Sequence, residues 1–583
     1  MKMRWILPLG TLVLVAAVLV WQWVGREAPP PAPAVTVGED LNRQVPADTL
    51  IYFGGREPLP LKALETVFPA MDSLLDETSA AQIRQWQQAS DVADGLRFLA
   101  ALILELDRVS RDGGGVPAMM TRIGAGLEPE FVVYLDQLAP VLRWRLDDPV
   151  ALIALVDHLE AAAEIDPAVA EEDKAAALFR RYPLYRSEEA SADLVLVVQG
   201  DVASVFVDSE VLADPALSAR VSAQQAPTES LADSGVLEAI MDRHGLMPTG
   251  LGFVDSRALV GLLGATGPGS LEALRAAVRD EETPQDQQAL RSEACQTELL
   301  AIAENWPGLR FGFAQLPTAE DRRLAMEVLV DSRDQRTMRS LRRLHGHIPA
   351  TLMRGEAEVI AATALGVNTD ALPRVALDLW RRFTRADFDC APLETLQARV
   401  GQTSPALLGP ALSFADGLMG MSLSVLDMDA DDMPDSMDVL ATISADDPQG
   451  LLTQFGVLFP RFAELDVPSD GRGVGFQPPP PFDVLRRELT LAQHGRHFTI
   501  HSGERAAEMA AAMGDDELEG RALLLMLINP DLHAERVGDA VSLEAMVGES
   551  LPAWLPAEGW RLRQTLDFTE RGIRQRWQLE AVD

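Results

Sequence analysis

The sequence predicts an α+β protein: an N-terminal transmembrane helix followed by two tandem homologous domains, each an antiparallel sheet covered by helices. Three observations predict it. An apolar run opens the chain. Paired strand-turn-strand patterns recur with helical patterns between them. Five of these patterns then return in the same order in the second half.

The opening reads "MKMRWILPLGTLVLVAAVLVWQWVGRE". Residues 1–4, with Lys2 and Arg4, read as a cytoplasmic tip, and residues 5–24 as an anchor. Twenty helical residues cover about 30 Å, enough to span a bilayer. The basic flank stays in the cytoplasm, which faces everything after Arg26 outward. Trp5, Trp21 and Trp23 fall near the two ends, at the level of the headgroups. A cleaved signal peptide is the rival reading, with "APA" at 32–34 as the small-residue site. Residues 25–45 carry a proline cluster and read as an extended spacer.

The 583 residues carry a formal net charge of −38, and 47% are hydrophobic. So acidic a chain repels nucleic acid and anionic lipid, which excludes both as expected partners. Its cations are nearly all arginine; Lys2, Lys62 and Lys174 are the only lysines.

The repeat carries the domain reading. "EFVVYLDQLAPVLRWRLDDPVALI" (130–153) matches "SLSVLDMDADDMPDSMDVLATISADDPQGLL" (422–452): strand, turn, strand, then "DDP" and an apolar helix. Pro149 and Pro448 suit first helical turns, with the preceding aspartates as caps. "LVLVVQGDVASVFVDS" (194–209) matches "LTLAQHGRHFTIHSG" (489–503), each with a Gly-centred turn. "GLGFVDSRAL" (250–259) matches "LLLMLINPDLH" (523–533), and two closing hairpins match over 307–331 and 558–583. "ADTLIYFGG" (47–55) pairs with "AEVIAATALG" (357–366). Copy one is expected over 46–331, a linker helix over 332–352 and copy two over 353–583.

The opening "VPADTLIYFGG" (Val45–Gly55), following an anchor and spacer, resembles bacterial membrane-anchored envelope proteins that carry a domain of unknown function with a "VPADT" opening. The resemblance implies a periplasm-facing protein and brings no catalytic residues with it.

Chemical candidates are few. "DMDADDMPDSMD" (427–438) approaches the spacing of a calcium loop, with Asp427, Asp429, Asp431, Asp435 and Asp438 as ligands. Asp432 stands where such a loop needs Gly, and Asp438 where it needs Glu. The stretch also falls where copy one has a short hairpin turn, so a solvated acidic turn is the expectation. In "HGRHFTIH", His494 falls in a turn, while His497 and His501 share a strand face about 13 Å apart, too far for one zinc. Phe498 and Ile500 are expected inward and the histidines outward. "GATGPGS" (264–270) lacks the Lys-Ser/Thr of a phosphate loop, and Ser270 reads as a helix cap. "DGRGVGFQPPPP" (470–481) precedes a strand, the wrong order for a dinucleotide fingerprint. Cys295 and Cys390 suit a disulfide in an oxidising compartment; two separately buried thiols are the other reading.

No catalytic residue and no cofactor is expected from these motifs. The functional expectation is a membrane-anchored periplasmic binding or scaffold protein with an envelope protein partner. The alternative is an envelope enzyme, hydrolase-like, whose site no motif marks.

Overall fold

The computed structural model describes residues 40–581, apart from 62–74, 76, 90, 167–176, 188–190, 223–224, 280–287, 319, 356, 429–436, 459, 461–463, 478–487, 519–521 and 538–558. The named strands make one eighteen-stranded antiparallel sheet with helices. This corrects the expected α+β architecture of an N-terminal transmembrane helix and two tandem homologous domains, each with a sheet of its own. The strand patterns predict hairpins, which are local; which hairpin joins which sheet depends on partners far away in sequence. Among the described residues no helix is long and apolar enough to cross a membrane, and residues 5–24 lie outside them.

The chain divides into two compact units, one of residues 1–324 with 390–392, the other of residues 325–389 with 393–583. The first unit contains β1 (Ile51–Gly54), β2 (Phe131–Asp136), β3 (Ala139–Arg145), β4 (Leu178–Arg186), β5 (Ser191–Gln199), β6 (Val202–Asp208), β7 (Leu251–Asp255) and β8 (Gly308–Gln315). Their pairings run β4-β5-β6-β3-β2-β1-β7-β8, all antiparallel. Tyr52, Tyr134, Tyr182, Phe206 and Phe253 are fully buried among them. Side chains of this size contribute about 1.5–3 kcal/mol each on burial. β5 is buried on both faces, as its unbroken "LVLVV" run requires.

The second unit begins within β9 (Arg323–Asp331). It adds β10 (Ala361–Leu365), β11 (Leu418–Asp427), β12 (Asp438–Ala445), β13 (Val474–Phe476), β14 (Leu489–His494), β15 (His497–Ser502), β16 (Leu524–Ile528), β17 (Trp560–Phe568) and β18 (Gly572–Ala581). The order is β13-β14-β15-β12-β11-β10-β16-β17-β18, with β9 paired to β18. Its first eight strands follow the same order as the eight of the first unit. Gly200 and Gly495 sit at the matching β5–β6 and β14–β15 turns with φ of 59° and 58°, a region glycine enters without strain.

The helices that matter below are α1 (Pro149–Ala162), α2 (Leu217–Val221), α3 (Glu293–Asn305), α4 (Gln335–Arg342), α5 (Leu372–Thr384), α6 (Pro448–Leu458) and α7 (Glu504–Ala512). Pro149 and Pro448 begin the helices that follow β3 and β12. Asp148 caps α1 by accepting from the backbone N–H groups of Val150 and Ala151 at 3.0 and 3.1 Å. Asp447 accepts from Gly450 N–H at 3.1 Å.

Candidate functional site: an arginine groove between two helices

In the second unit α4 and α5 enclose an open groove of about 770 Å3 lined by Arg336, Arg339, Arg343, Arg374 and Arg382. Local sequence explains the arrangement. Asp334 caps α4, accepting from Arg336 N–H at 3.1 Å and Thr337 N–H at 2.9 Å. Met338 and Ser340 then face inward and are buried. Arg336, Arg339 and Arg343 follow at i, i+3 and i+7, which places them on one stripe of the outer face. On α5, Asn368 Oδ1 accepts from Ala371 N–H at 3.1 Å and Pro373 occupies the first turn. Val375 turns inward, while Arg374, Asp378 and Arg382 form the second stripe at i, i+4 and i+8.

One contact set fixes the floor. Ser340 Oγ donates to Asp378 Oδ2 at 3.2 Å, and Arg382 Nη2 donates to Ser340 Oγ at 2.8 Å. Arg382 also pairs with Asp378. Burial, and then the like charge of Arg336, hold the Arg382 guanidinium below its usual range. The Asp334 carboxyl lies below the usual range too. Burial opposes that shift, but the Thr337 hydroxyl and the Thr337 and Arg336 N–H groups outweigh it, with Arg382 adding to them.

Arg336, Arg343 and Arg374 are exposed and have no carboxylate within ion-pair distance among the described residues. Arg339 donates only to the Gln335 carbonyl, at 3.1 Å. Asp378 is the one acid among the lining residues. The groove therefore carries a local excess of positive charge on a chain whose net charge is −38. Guanidinium groups recognise carboxylate and phosphate in a planar, directional way. The groove can hold an extended anion; the hydroxyl of Ser340 meets a carboxylate and no histidine there.

The sequence-predicted residues lie elsewhere. Asp427 and Asp438 face each other at the end of the β11–β12 hairpin. Arg505 lies beside them: its backbone N–H donates to Asp438 Oδ2 at 3.2 Å, and its side-chain Nε lies 3.5 Å from Asp427 Oδ2. Asp429, Asp431 and Asp435 lie outside the described residues. Among the described residues no group of three His, Cys, Asp or Glu could hold a metal ion.

The orientation expected for the histidines is corrected. His497 is 0% exposed and His501 8%, on the face that α7 covers with Ala506 and Ala510. Phe498 is buried on the opposite face, against Leu491 and Val467. Both faces of β15 are covered, so alternation carried no inside-outside information there. His497 Nδ1 lies 2.9 Å from Ser444 Oγ. Ser270 caps its helix as expected, accepting from Ala273 N–H at 3.1 Å. Cys295, on α3, and Cys390 form a disulfide, both within the first unit.

The arginine stripes were open to sequence reasoning in part. The spacing of 336, 339 and 343 is visible in "QRTMRSLRR", but a run of arginines in a presumed linker reads as a solvated face until a second helix is seen beside it. No protein-family model matches this chain, and no curated protein and no solved structure matches it.

Proposed function

We propose that this protein is a binding or scaffold protein of the bacterial envelope, held at the inner membrane by residues 5–24 with its bulk in the periplasm. Its groove between α4 and α5 binds an acidic segment of an envelope protein partner. The observation that carries this reading is the arginine groove itself, five guanidinium groups around one aspartate in an otherwise acidic protein. The stripe from Arg336 to Arg343 spans about 10 Å along α4 at 1.5 Å per residue, a length that suits several carboxylates on one extended chain. The protein's overall negative charge opposes nucleic acid, which would have to approach through that field.

The test is binding of a glutamate-rich peptide to the full chain, followed by fluorescence anisotropy. Saturable binding is expected, weakening as salt rises. The double change Arg336→Glu and Arg343→Glu is expected to abolish it. Binding that survives the double change removes the groove from the function. An alkaline phosphatase fusion after Asp583, active only when exported, tests the topology.

A further inference from the structure

Two arginines are buried among the described residues, Arg143 and Arg310, at 2% and 5% exposure. Arg310 has an acid, backbone carbonyls and a ring as partners. It pairs with Asp255 at 3.5 Å, donates to the carbonyls of Val254 and Pro307 at 3.1 and 3.2 Å, and lies over the Phe253 ring. Arg143 has no such set. Its Nε and Nη1 have no hydrogen-bond partner, and no carboxylate among the described residues forms an ion pair with it. The acid two residues past Tyr134 is taken: Asp136 accepts from Arg220 through both oxygens, at 2.7 and 2.9 Å. The Tyr134 phenol beside Arg143 is held neutral by burial and supplies no countercharge. A buried guanidinium without an acid costs several kcal/mol, so an uncompensated one asks for an anion.

Space for that anion exists. Arg143 lines an open cavity of about 220 Å3 in the first unit, room for a small molecule. β3 and β6 bring Arg143 opposite Ser204, and β5 contributes Val197 and Gln199. Val221 of α2 and the segment Asp40–Gln44 complete the wall. That segment is fixed in place: the Tyr52 hydroxyl donates to Asn42 Oδ1 at 2.7 Å, and Asn42 Nδ2 donates to the Gly55 carbonyl at 3.0 Å. It presents a second unsatisfied group to the cavity region, Gln44 Oε1, a buried acceptor without a donor. Asp40 and Asp201 also line the space; Asp201 is paired with Arg145 at 2.6 Å, and Asp40 accepts from Asn42 N–H at 2.9 Å. The lining of the cavity thus includes an unpaired cation, an unpaired acceptor and two carboxylates.

We propose that this cavity is a binding site for a small amino-carboxylate zwitterion, its carboxylate on Arg143 and its ammonium on Gln44 Oε1 beside Asp40. Each half of such a ligand supplies what the protein lacks: a negative charge for the guanidinium and an N–H donor for the amide oxygen. A simple monoanion would satisfy only the first, and a primary amine only the second. The site lies in the first unit, apart from the arginine groove, and stands or falls independently of it.

The experiment is calorimetric titration of the full chain with three probes: L-alanine, propionate and ethylamine. Saturable binding of alanine is expected, with propionate at least about tenfold weaker, the rough cost of one lost charge-assisted hydrogen bond. Ethylamine is expected not to bind. No alanine binding up to about 10 mM, a Kd too weak to matter, overturns the proposal. Equal affinity for alanine and propionate overturns the ammonium contact and with it the ligand class. Arg143→Met should remove binding of both acids. Should that variant fail to fold, Gln44→Leu, which leaves the buried charge intact, is the second reading: it must weaken alanine and leave propionate unchanged, and any other result overturns the assignment of Gln44.

Discussion

Cys295 and Cys390 are 95 residues apart in the chain and joined by a disulfide, with their Cα atoms 4.4 Å apart. Cys390 N–H donates to Glu298 Oε2 at 3.2 Å, one turn along α3 from its bonded partner. Both sulfurs are fully buried. Closing a loop of this length removes unfolded-chain entropy worth about 4–5 kcal/mol in the chain-entropy model. The double change Cys295→Ser and Cys390→Ser is therefore expected to lower stability by about 2–5 kcal/mol. Urea denaturation of the variant against the unreduced wild type measures it, and coincident transitions would contradict it. Peptide mass mapping without reduction, thiols blocked first, should recover the 295–390 pair and no alkylated cysteine.

Local chemistry was legible in the sequence because it depends on near neighbours. "DDP" announced the starts of α1 and α6, and glycines at 200 and 495 announced tight turns. Pairing across the sheet was not, since β9 finding β18 is a choice among distant partners of similar pattern. The same limit hid both candidate sites. Arg143 sits in "VLRWRL", where alternation with Trp144 suggests an outward arginine, yet both are buried because both faces of β3 are covered. Arg374 and Arg382 read as an ordinary basic helix face until α4 lies beside them with Arg336 and Arg343.

If the groove binds an acidic segment as proposed, Arg336 serves binding and not stability. Arg336 is exposed, has no acid partner, and acts on Arg382 as a like charge. Arg336→Gln is expected to leave the urea midpoint unchanged or to raise stability by up to about 0.5 kcal/mol, the usual scale of exposed charge changes. The same variant should weaken glutamate-peptide binding severalfold. A loss of more than about 1 kcal/mol in stability would make Arg336 a structural residue instead.

The acidic hairpin end at Asp427 and Asp438 is expected to bind calcium weakly. The Arg505 guanidinium already sits against Asp427 and the Arg505 backbone N–H already donates to Asp438, so a divalent cation would have to compete with both contacts. Titration calorimetry should show no affinity tighter than about 10⁻⁵ M, well short of a sensor loop. Arg505→Ala should strengthen whatever binding exists. Sub-micromolar binding by the wild-type chain, lost in Asp427→Asn, would refute this.

The buried histidines set a pH dependence whose sign follows from burial. Desolvation holds His497 and His501 below the ordinary histidine range; backbone acceptance by the Asp516 carbonyl offsets it partly for His497. His494 is lowered by the same cause. A histidine depressed in the folded state takes up its proton first in the unfolded state. Above the unfolded value near 6.5, both states are neutral there and the groups contribute no slope. Below it the unfolded chain binds more protons, so stability falls as pH falls, by at most about 1.4 kcal/mol per pH unit for each histidine. The fall ends only below the depressed folded values. Carboxylates such as Asp334, also depressed, add their own loss at lower pH, once the unfolded carboxyl range is reached. Urea midpoints at about pH 7.5, 6.5 and 5.5 should therefore decline in that order. His497→Asn keeps a polar partner for Ser444 while removing the titrating ring, so it should flatten the slope between the two lower values by up to one proton's worth. An unchanged slope in that variant would mean that His497 takes its proton equally in both states. Its burial beneath α7 would then not be felt as a charge penalty.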